Sequence, residues 1–423
     1  MKIAMISEHA NPQAVLGGVD AGGQNVHVDA LATALVARGH RVTVHTRRED
    51  PDQPVRTRCP GGYDVELVTA GPTEPVPKDD LWQWMPEFAR QLAIRWRESP
   101  VDIAHAHFWM SGAAACGAND LLARKVPVVQ TFHALGSVKR RHQGERDTSP
   151  PGRIDVERTL CRRVDHIIAT CSDELAELVE LGADPERVSI VPCGVDIERF
   201  APSAATPAAQ LRLLTVARLV ERKGIGDVIA ALHQLDDAVL TVVGGPTAAA
   251  LIADPEAQRL AALARRLDCL DRVHFTGGLS RDAMPELFAS SDVVVAAPWY
   301  EPFGIVPLEA MASGRPVVGT KVGGLLDTVT PGVTGELVPT HRPDLIADAV
   351  RRLTPKRREA YGQAGARRAR DIYSWPAVAA QTETALRKVI DAAHHRAVTT
   401  SGAWTWTPPT PDQPSISTSS QAR

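Results

Sequence analysis

Short runs of β-branched and aliphatic residues alternate with longer stretches of helical periodicity from the first residues onward. Lys2–Ser7, Arg41–Thr46, Val65–Thr69, Asp102–Ala106, Val126–Thr131, Ile167–Ala169 and Val188–Val191 have the length and apolar content of buried strands. Between them, Gln24–Ala37, Leu81–Arg97, Gly112–Arg124, Ile154–Arg163 and Asp173–Leu181 repeat apolar residues at helical spacing. A second series follows, with strands predicted at Leu211–Ala217, Val239–Val243, Val273–Phe275, Val293–Ala296 and Pro316–Gly319, and a helical stretch over Asp344–His395. Alternation of this kind builds parallel sheets covered by helices on both faces.

The Ala/Pro/Ser/Thr-rich segment Ala201–Gln210 separates the two series. The expected organisation is therefore α/β, with two doubly wound Rossmann-like domains facing a cleft. The amino-terminal domain covers residues 1–195, a linker 196–210, and the carboxyl-terminal domain 211–375. A closing helix follows over 376–396, and the Ser/Thr/Pro-rich residues 397–423 are expected to form a disordered tail. Ligands of such sheets gather at the carboxyl ends of the strands.

A length of 423 residues agrees with two cores. The 47 Lys and Arg residues against 50 Asp and Glu give a net charge of −3, which argues against a nucleic-acid binder of the basic-patch type. Only eight of the cations are lysines, so a Lys in a loop marks a place where a compact ammonium is wanted. Six scattered cysteines without a CxxC pair make neither a disulfide framework nor a zinc site, and fit a reducing cytoplasm. No run reaches the roughly 18 apolar residues of a membrane span, and the start of the chain turns polar too soon for a signal peptide. The expected location is cytoplasmic, without stable membrane association. The basic stretch from Arg351 to Arg368 has few large apolar residues beside it and reads as a solvated helix face.

Three segments carry chemistry. Gly17-Gly18-Val19-Asp20-Ala21-Gly22-Gly23-Gln24-Asn25 puts four glycines directly before a helix, where backbone N–H groups can approach an anion. The spacing is not GxGxxG, although Glu49–Asp50 after the second strand could imitate a ribose-binding carboxylate. A loop for a phosphorylated or sugar ligand, a long flexible turn and a dinucleotide site all remain open there. Arg218 and Lys223 lie between a strand end and a helix start, an arrangement suited to a diphosphate, or else to a solvated loop. In Glu301-Pro302-Phe303-Gly304-Ile305-Val306-Pro307-Leu308-Glu309, two carboxylates bracket a Gly-opened helix start. Both can face one ligand while the N–H groups of Gly304, Ile305 and Val306 meet a phosphate. Two decoys stand beside these. His105 and His107 share a strand face downstream of Asp102 but lack a further metal ligand, and Asp50-Pro51-Asp52 only superficially imitates a metal-binding DxD.

From Met1 to about His395 the chain resembles the retaining GT-B glycosyltransferases of family 4, which include sucrose-phosphate synthases and mycothiol glycosyltransferases. The resemblance rests on the paired glutamates, AMISEHANP near the start, GGQNV in the first loop, AGP followed by Lys78, HFWMSG, and VGG after the glutamates. It is nearest to the mycothiol branch, whose members attach N-acetylglucosamine to inositol phosphate. The resemblance implies a UDP- or GDP-sugar donor, a small polar acceptor, and no cofactor or metal. It implies no nucleic-acid partner and leaves room for a homodimer. It places Arg218 and Lys223 on the donor diphosphate and Glu309 on the ribose. Glu301, Gly304, Ile305 and Val306 meet the donor sugar and β-phosphate, His133 lies near the reacting carbon, and Gly23 sits under the phosphate. Glu301 and His133 are the catalytic candidates, with front-side attack the implied route.

On the acceptor side the resemblance places Asn25, Lys78, Phe108, Ala134 and Arg153. Lys78 and Arg153 match phosphate-gripping residues of the mycothiol branch, but Phe108 and Ala134 stand where that branch carries a Tyr and a Thr. Hydrogen bonds to a charged group contribute about 1.5–3 kcal/mol each. Their loss leaves either Lys139, Arg140 and Arg141 to hold the phosphate, or an acceptor other than inositol phosphate, such as an aminocyclitol or a thiol metabolite of natural product biosynthesis. The sequence favours the second. The alternatives are a GDP-sugar-dependent S-glycosyltransferase of lincosamide type acting on ergothioneine, and a nucleotide-sugar epimerase on the same fold.

Overall fold

The computed structural model describes residues 1–13, 23–144, 147–203, 208–302 and 304–401, with side chains described as far as 395. The loop residues Gly17–Gly22, Phe303 and the expected tail beyond Ser401 lie outside the described residues.

The amino-terminal domain is built on β1 (Lys2–Ile6), β2 (Arg41–Arg47), β3 (Arg56–Arg58), β4 (Asp64–Val68), β5 (Ile103–His107), β6 (Val128–Thr131), β7 (His166–Ala169) and β8 (Val188–Ile190). Its helices are α1 (Gly23–Ala37), α2 (Met85–Glu98), α3 (Trp109–Asp120), α4 (Gly136–Gln143), α5 (Arg153–Arg163) and α6 (Ser172–Glu180). The strands run in the order β3-β4-β2-β1-β5-β6-β7-β8, parallel except for the edge strand β3. Strands β5, β6 and β7 are fully buried, and their polar side chains find partners inside, as His105 does with Thr131 and His166 with Ser189.

The carboxyl-terminal domain contains β9 (Leu211–Val216), α7 (Ile225–Leu232), β10 (Ala238–Val243), α8 (Pro255–Arg266), β11 (Val273–Gly277), α9 (Met284–Ser290), β12 (Val293–Ala296), α10 (Ile305–Ala312), β13 (Val317–Thr320), α11 (Leu325–Thr328), β14 (Gly335–Val338), α12 (Pro343–Arg352) and α13 (Pro355–Ile372). Its order, β11-β10-β9-β12-β13-β14, is the doubly wound arrangement. Strand order reverses beside β1 in one sheet and beside β9 in the other, so the crevices open between β1 and β5 and between β9 and β12.

The last helix, α14 (Trp375–Ser401), belongs to the first domain's core. Val378, Ala379, Leu386 and Val389 are buried with Val28, Leu31 and Leu35 of α1 against one face of the first sheet. Glu383 anchors it by accepting from Arg38 Nε at 2.6 Å. The chain thus crosses between the domains twice, and the crossings lie side by side. Val195 N donates to Tyr373 O at 2.7 Å. A Cβ on Gly194 would meet the Trp375 ring at 2.4 Å, so only glycine admits that contact.

Several sequence expectations are corrected. Edge strand β3, strand β14 and helix α4 were not read from the pattern; β3 and β14 are only three and four residues long. Helix α3 starts at Trp109, three residues before Gly112, because Phe108 turns the chain directly into it. Helix α14 runs to Ser401, past the expected start of the tail at Ala397. Among the described residues, no helix is long and apolar enough to cross a membrane.

Candidate active site

The carboxyl ends of β1, β5 and β6 converge on one aromatic ring. Phe108, directly after β5, is buried with φ +82°, and His133, just beyond β6, has φ +63°. Positive φ on a bulky residue is strained and persists only where the surroundings enforce it. Here Gln130 Nε2 donates to Phe108 O at 3.0 Å and to Thr131 O at 2.9 Å, and Phe108 N donates to Thr131 O. Around the Phe108 ring stand Lys78 Nζ at 5.7 Å, the Arg153 guanidinium at 5.0 Å and the His9 ring edge-on at 4.8 Å. Three of the five acceptor-side candidates, Lys78, Phe108 and Arg153, are thus brought together, and Ala134 joins them through its carbonyl. Asn25, buried on α1, donates to Asn11 O at 2.8 Å.

Arg153 opens α5 and is almost wholly buried. Its Nε donates to Glu157 Oε1 at 2.8 Å, and its terminal nitrogens donate to Ser149 Oγ at 3.1 Å and Ala134 O at 2.6 Å. Glu157 also accepts from Gly136 N. Burial pushes the Glu157 carboxyl up, and Arg153 opposes that shift. Lys139, Arg140 and Arg141 are engaged elsewhere. Lys139 and Arg140 pair with Asp147, and Arg141 with Glu177 at 2.5 Å. Arg153 lies against Phe108 and, like the basic triplet, is paired with a carboxylate.

Behind the crevice lies a buried group of imidazoles: His27, His105, His107 and His133. His107 Nδ1 and His133 Nε2 share a hydrogen bond of 2.9 Å, and their rings stack at 5.1 Å. His105 Nε2 lies 3.0 Å from Thr131 Oγ1. Desolvation lowers all four pKa values, His27 to about 4 and His105 to about 3, so the group is neutral at physiological pH. Both sequence decoys resolve the same way. His105 and His107 are both packed in the interior. Among the described residues, no three His, Cys, Asp or Glu side chains gather as metal ligands. Asp50 Oδ1 accepts from Asp52 N in an exposed turn.

Across the cleft, Lys223 and Gly224 close the loop after β9. Gly224, at φ +67°, packs so closely on the end of β12 that a Cβ would fall 1.8 Å from Ala297 O. This draws the Lys223 ammonium into an ion pair with Glu301 Oε2. The VGG loop sets the backbone of that glutamate: Gly324 N donates to Glu301 O at 2.9 Å. Gly304, at φ +71°, caps α10, and Ile305 and Val306 form its first turn. Helix starts of this kind present free N–H groups to an anion. Arg218 is exposed at the rim of the same crevice. Glu309 lies within α10 with no side-chain hydrogen bond among the described residues. Desolvation raises its pKa to about 7 against the pull of Arg281 and Arg199.

The two helix starts meet across the cleft. A Cβ on Gly23, the first residue of α1, would lie 3.3 Å from Ile305 Cδ1. Further contacts hold the domains together: Ser172 donates to Asp327 through N and Oγ at 2.5 and 2.7 Å, and His142 stacks on Tyr300 at 5.0 Å. The start of α10 therefore lies against the start of α1 across the cleft. Sequence reasoning missed the direct Lys223–Glu301 pair and the Glu8–His9 pair at the end of β1. The quoted AMISEHANP segment contains the second, but nothing in its spacing shows that Glu8 is buried.

Two Rossmann-like domains whose crevices meet across one cleft define a GT-B glycosyltransferase. Residues 21–199 match the model of Glycosyltransferase Family 4, and residues 196–368 that of Glycosyl transferases group 1. The chain is 36% identical to D-inositol 3-phosphate glycosyltransferase of Kineococcus radiotolerans over 93% of its length and 97% of the relative's. It is also 36% identical to the enzyme of that name from Kribbella flavida, over 91% and 95%. Sucrose-phosphate synthase from Thermosynechococcus elongatus superposes with a TM-score of 0.81 at 31% identity, covering 92% of this chain and 99% of that one. The chain belongs to glycosyltransferase family 4, and it is a glycosyltransferase.

Proposed function

We propose that the enzyme transfers a sugar, with retention and without a metal ion, from a nucleoside diphosphate to a small phosphorylated cyclitol of the inositol phosphate type. The observation that carries this reading is the Lys223–Glu301–Gly304 constellation, whose helix start meets Gly23 across the cleft. The ammonium of Lys223, the guanidinium of Arg218 and the free N–H groups of α10 offer the charge that a leaving diphosphate develops. Glu309, raised to about 7 and lacking protein donors, suits hydroxyl donors such as those of a ribose.

Retention by front-side attack is favoured because two carboxylates behind the amino-terminal crevice have both oxygens held: Glu8 by His9 and Ser111, and Glu157 by Arg153 and Gly136. A double displacement needs a carboxylate free to attack the anomeric carbon.

For the acceptor, the names of the relatives and the convergence of Lys78 and Arg153 on Phe108 support a phosphorylated cyclitol over a thiol. The absence of hydroxyls at Phe108 and Ala134 supports a looser grip than a Tyr and a Thr would give. The test is transfer from UDP-N-acetylglucosamine to D-inositol 3-phosphate, with Lys223→Ala and Glu309→Ala as controls. Transfer by the wild type and its loss in both variants is expected. Sugar release that needs no acceptor, or full activity in both variants, overturns the reading.

A further inference from the structure

Arg47 is the last residue of β2, the strand between β4 and β1, and its side chain is wholly closed to solvent. Its backbone N donates to Glu8 O at 3.0 Å, which ties it to the end of β1. Its guanidinium reaches the loop that follows β4. Nε donates to Ala70 O at 3.0 Å, Nη1 and Nη2 to Glu74 O at 3.0 and 2.9 Å, and Nη2 also to Pro72 O. The Glu49 carboxylate lies 3.6 Å from Nη1. A buried cation is costly to desolvate and persists where its donors are satisfied. Here every nitrogen of the fork holds a carbonyl of the stretch Ala70–Glu74, so the charge fixes the course of that loop. A lysine ammonium, a point charge without the planar fork, cannot reproduce the arrangement.

The same loop is held again before it delivers Lys78. Gly71, at φ +69°, lies against the Trp84 ring, where a Cβ would meet it at 2.5 Å. Gly71 N also donates to Glu87 Oε2 at 3.0 Å. Lys78 opens the 3-10 helix Lys78–Trp84, just beyond the last carbonyl that Arg47 holds. Downstream, Trp82 of that helix packs on Trp109 with ring centroids 4.7 Å apart. Between these anchors Lys78 Nζ reaches the Phe108 ring, 5.7 Å from its centroid.

We propose that Arg47 is a positioning residue for acceptor binding: by holding the carbonyls of Ala70, Pro72 and Glu74, it sets the loop that brings Lys78 to the Phe108 ring. The proposal rests on the phosphorylated-cyclitol reading given above. Closed to solvent, Arg47 acts through Lys78 and not on the acceptor itself. Its loss therefore weakens the grip on the acceptor and leaves the donor crevice, in the other domain, as it is.

The test measures transfer from UDP-N-acetylglucosamine to D-inositol 3-phosphate by wild type, Arg47→Lys, Arg47→Met, Lys78→Ala and the double variant Arg47→Met, Lys78→Ala. Acceptor KM is expected to rise in both Arg47 variants by about 10- to 100-fold, the equivalent of one hydrogen bond to a charged group. The kcat at saturating acceptor, the donor KM and the thermal shift induced by UDP stay near wild type. Because the two residues act through one contact, the double variant has the acceptor KM of Lys78→Ala alone. Gly71→Ala displaces the same loop from Trp84 without touching the buried cation. It raises acceptor KM as well, and it carries the test if the Arg47 variants do not fold. The proposal is overturned if the folded variants keep the wild-type acceptor KM, if donor KM and the UDP shift deteriorate along with it, or if the Arg47 and Lys78 effects simply multiply. A wild type that shows the UDP shift but transfers nothing to D-inositol 3-phosphate overturns the acceptor reading itself, and the assignment of Arg47 with it.

Discussion

The Lys223 ammonium is ion-paired with the Glu301 carboxylate at the mouth of the carboxyl-terminal crevice. A diphosphate entering there competes with Glu301 for the same cation, so the two substitutions have opposite effects on nucleotide affinity. Lys223→Ala removes a charged donor worth about 1.5–3 kcal/mol, and weakens UDP binding by about 10- to 100-fold. Glu301→Gln frees the ammonium, so UDP binds at least as tightly while turnover falls steeply. Titration calorimetry with UDP and steady-state kinetics read the two effects separately. Weaker UDP binding by Glu301→Gln would contradict the competition.

Glu309 gives the donor-free protein a pH dependence of defined sign. Its pKa rises from the ordinary carboxylate value of 4.5 to about 7 through desolvation. A group raised on folding stabilises the native state fully below its unfolded pKa, and that contribution is lost as pH climbs through the folded value. Thermal melts from pH 4.5 to 8.5 should show Tm falling between about pH 5 and pH 7 and levelling off above that, with Glu309→Gln largely removing the fall. A wild-type Tm that climbs steadily over this range would falsify the assignment.

A hydroxyl added at the Phe108 ring would stand between Lys78 and Arg153. The double variant Phe108→Tyr, Ala134→Thr should lower KM for D-inositol 3-phosphate by about tenfold or more, at about 1.5–3 kcal/mol per charged hydrogen bond. Donor KM should stay unchanged. An unchanged acceptor KM would place the phosphate away from this ring.

Arg153 and Glu157 set a stability prediction. Glu157→Ala strips the buried guanidinium of its carboxylate and leaves the Gly136 N–H unanswered. Breaking a buried pair from one side costs about 3–5 kcal/mol. Urea denaturation should show a loss of that order. Glu157→Gln, which keeps an acceptor for both donors, should lose less.

Much of this was legible in the sequence, because each domain repeats one strand-and-helix unit with near-continuous apolar strands. The two crevices and the glycine turns beside them followed from strand order and loop composition: Gly224, Gly304 and the VGG loop are glycines for steric reasons that a loop motif records. What stayed hidden depends on contacts between distant segments. Strand β3 pairs antiparallel along the sheet edge through charged residues, so its pattern carries no apolar signal. Helix α4 has basic residues whose carboxylate partners, Asp147 and Glu177, lie beyond it in the chain. The strain at Phe108 and His133 and the burial of Glu8 are products of tertiary packing, which no local spacing encodes.

Helix α14 also has a bearing on how the polypeptide is made. Val378, Ala379, Leu386 and Val389 cover a face of the first sheet, which is begun by Lys2–Ile6. During synthesis that face stays uncovered until almost the whole chain has been translated. The domain that emerges from the ribosome first is therefore completed last, while the carboxyl-terminal domain, whose strands and helices run from Leu211 to Ile372, can close before it.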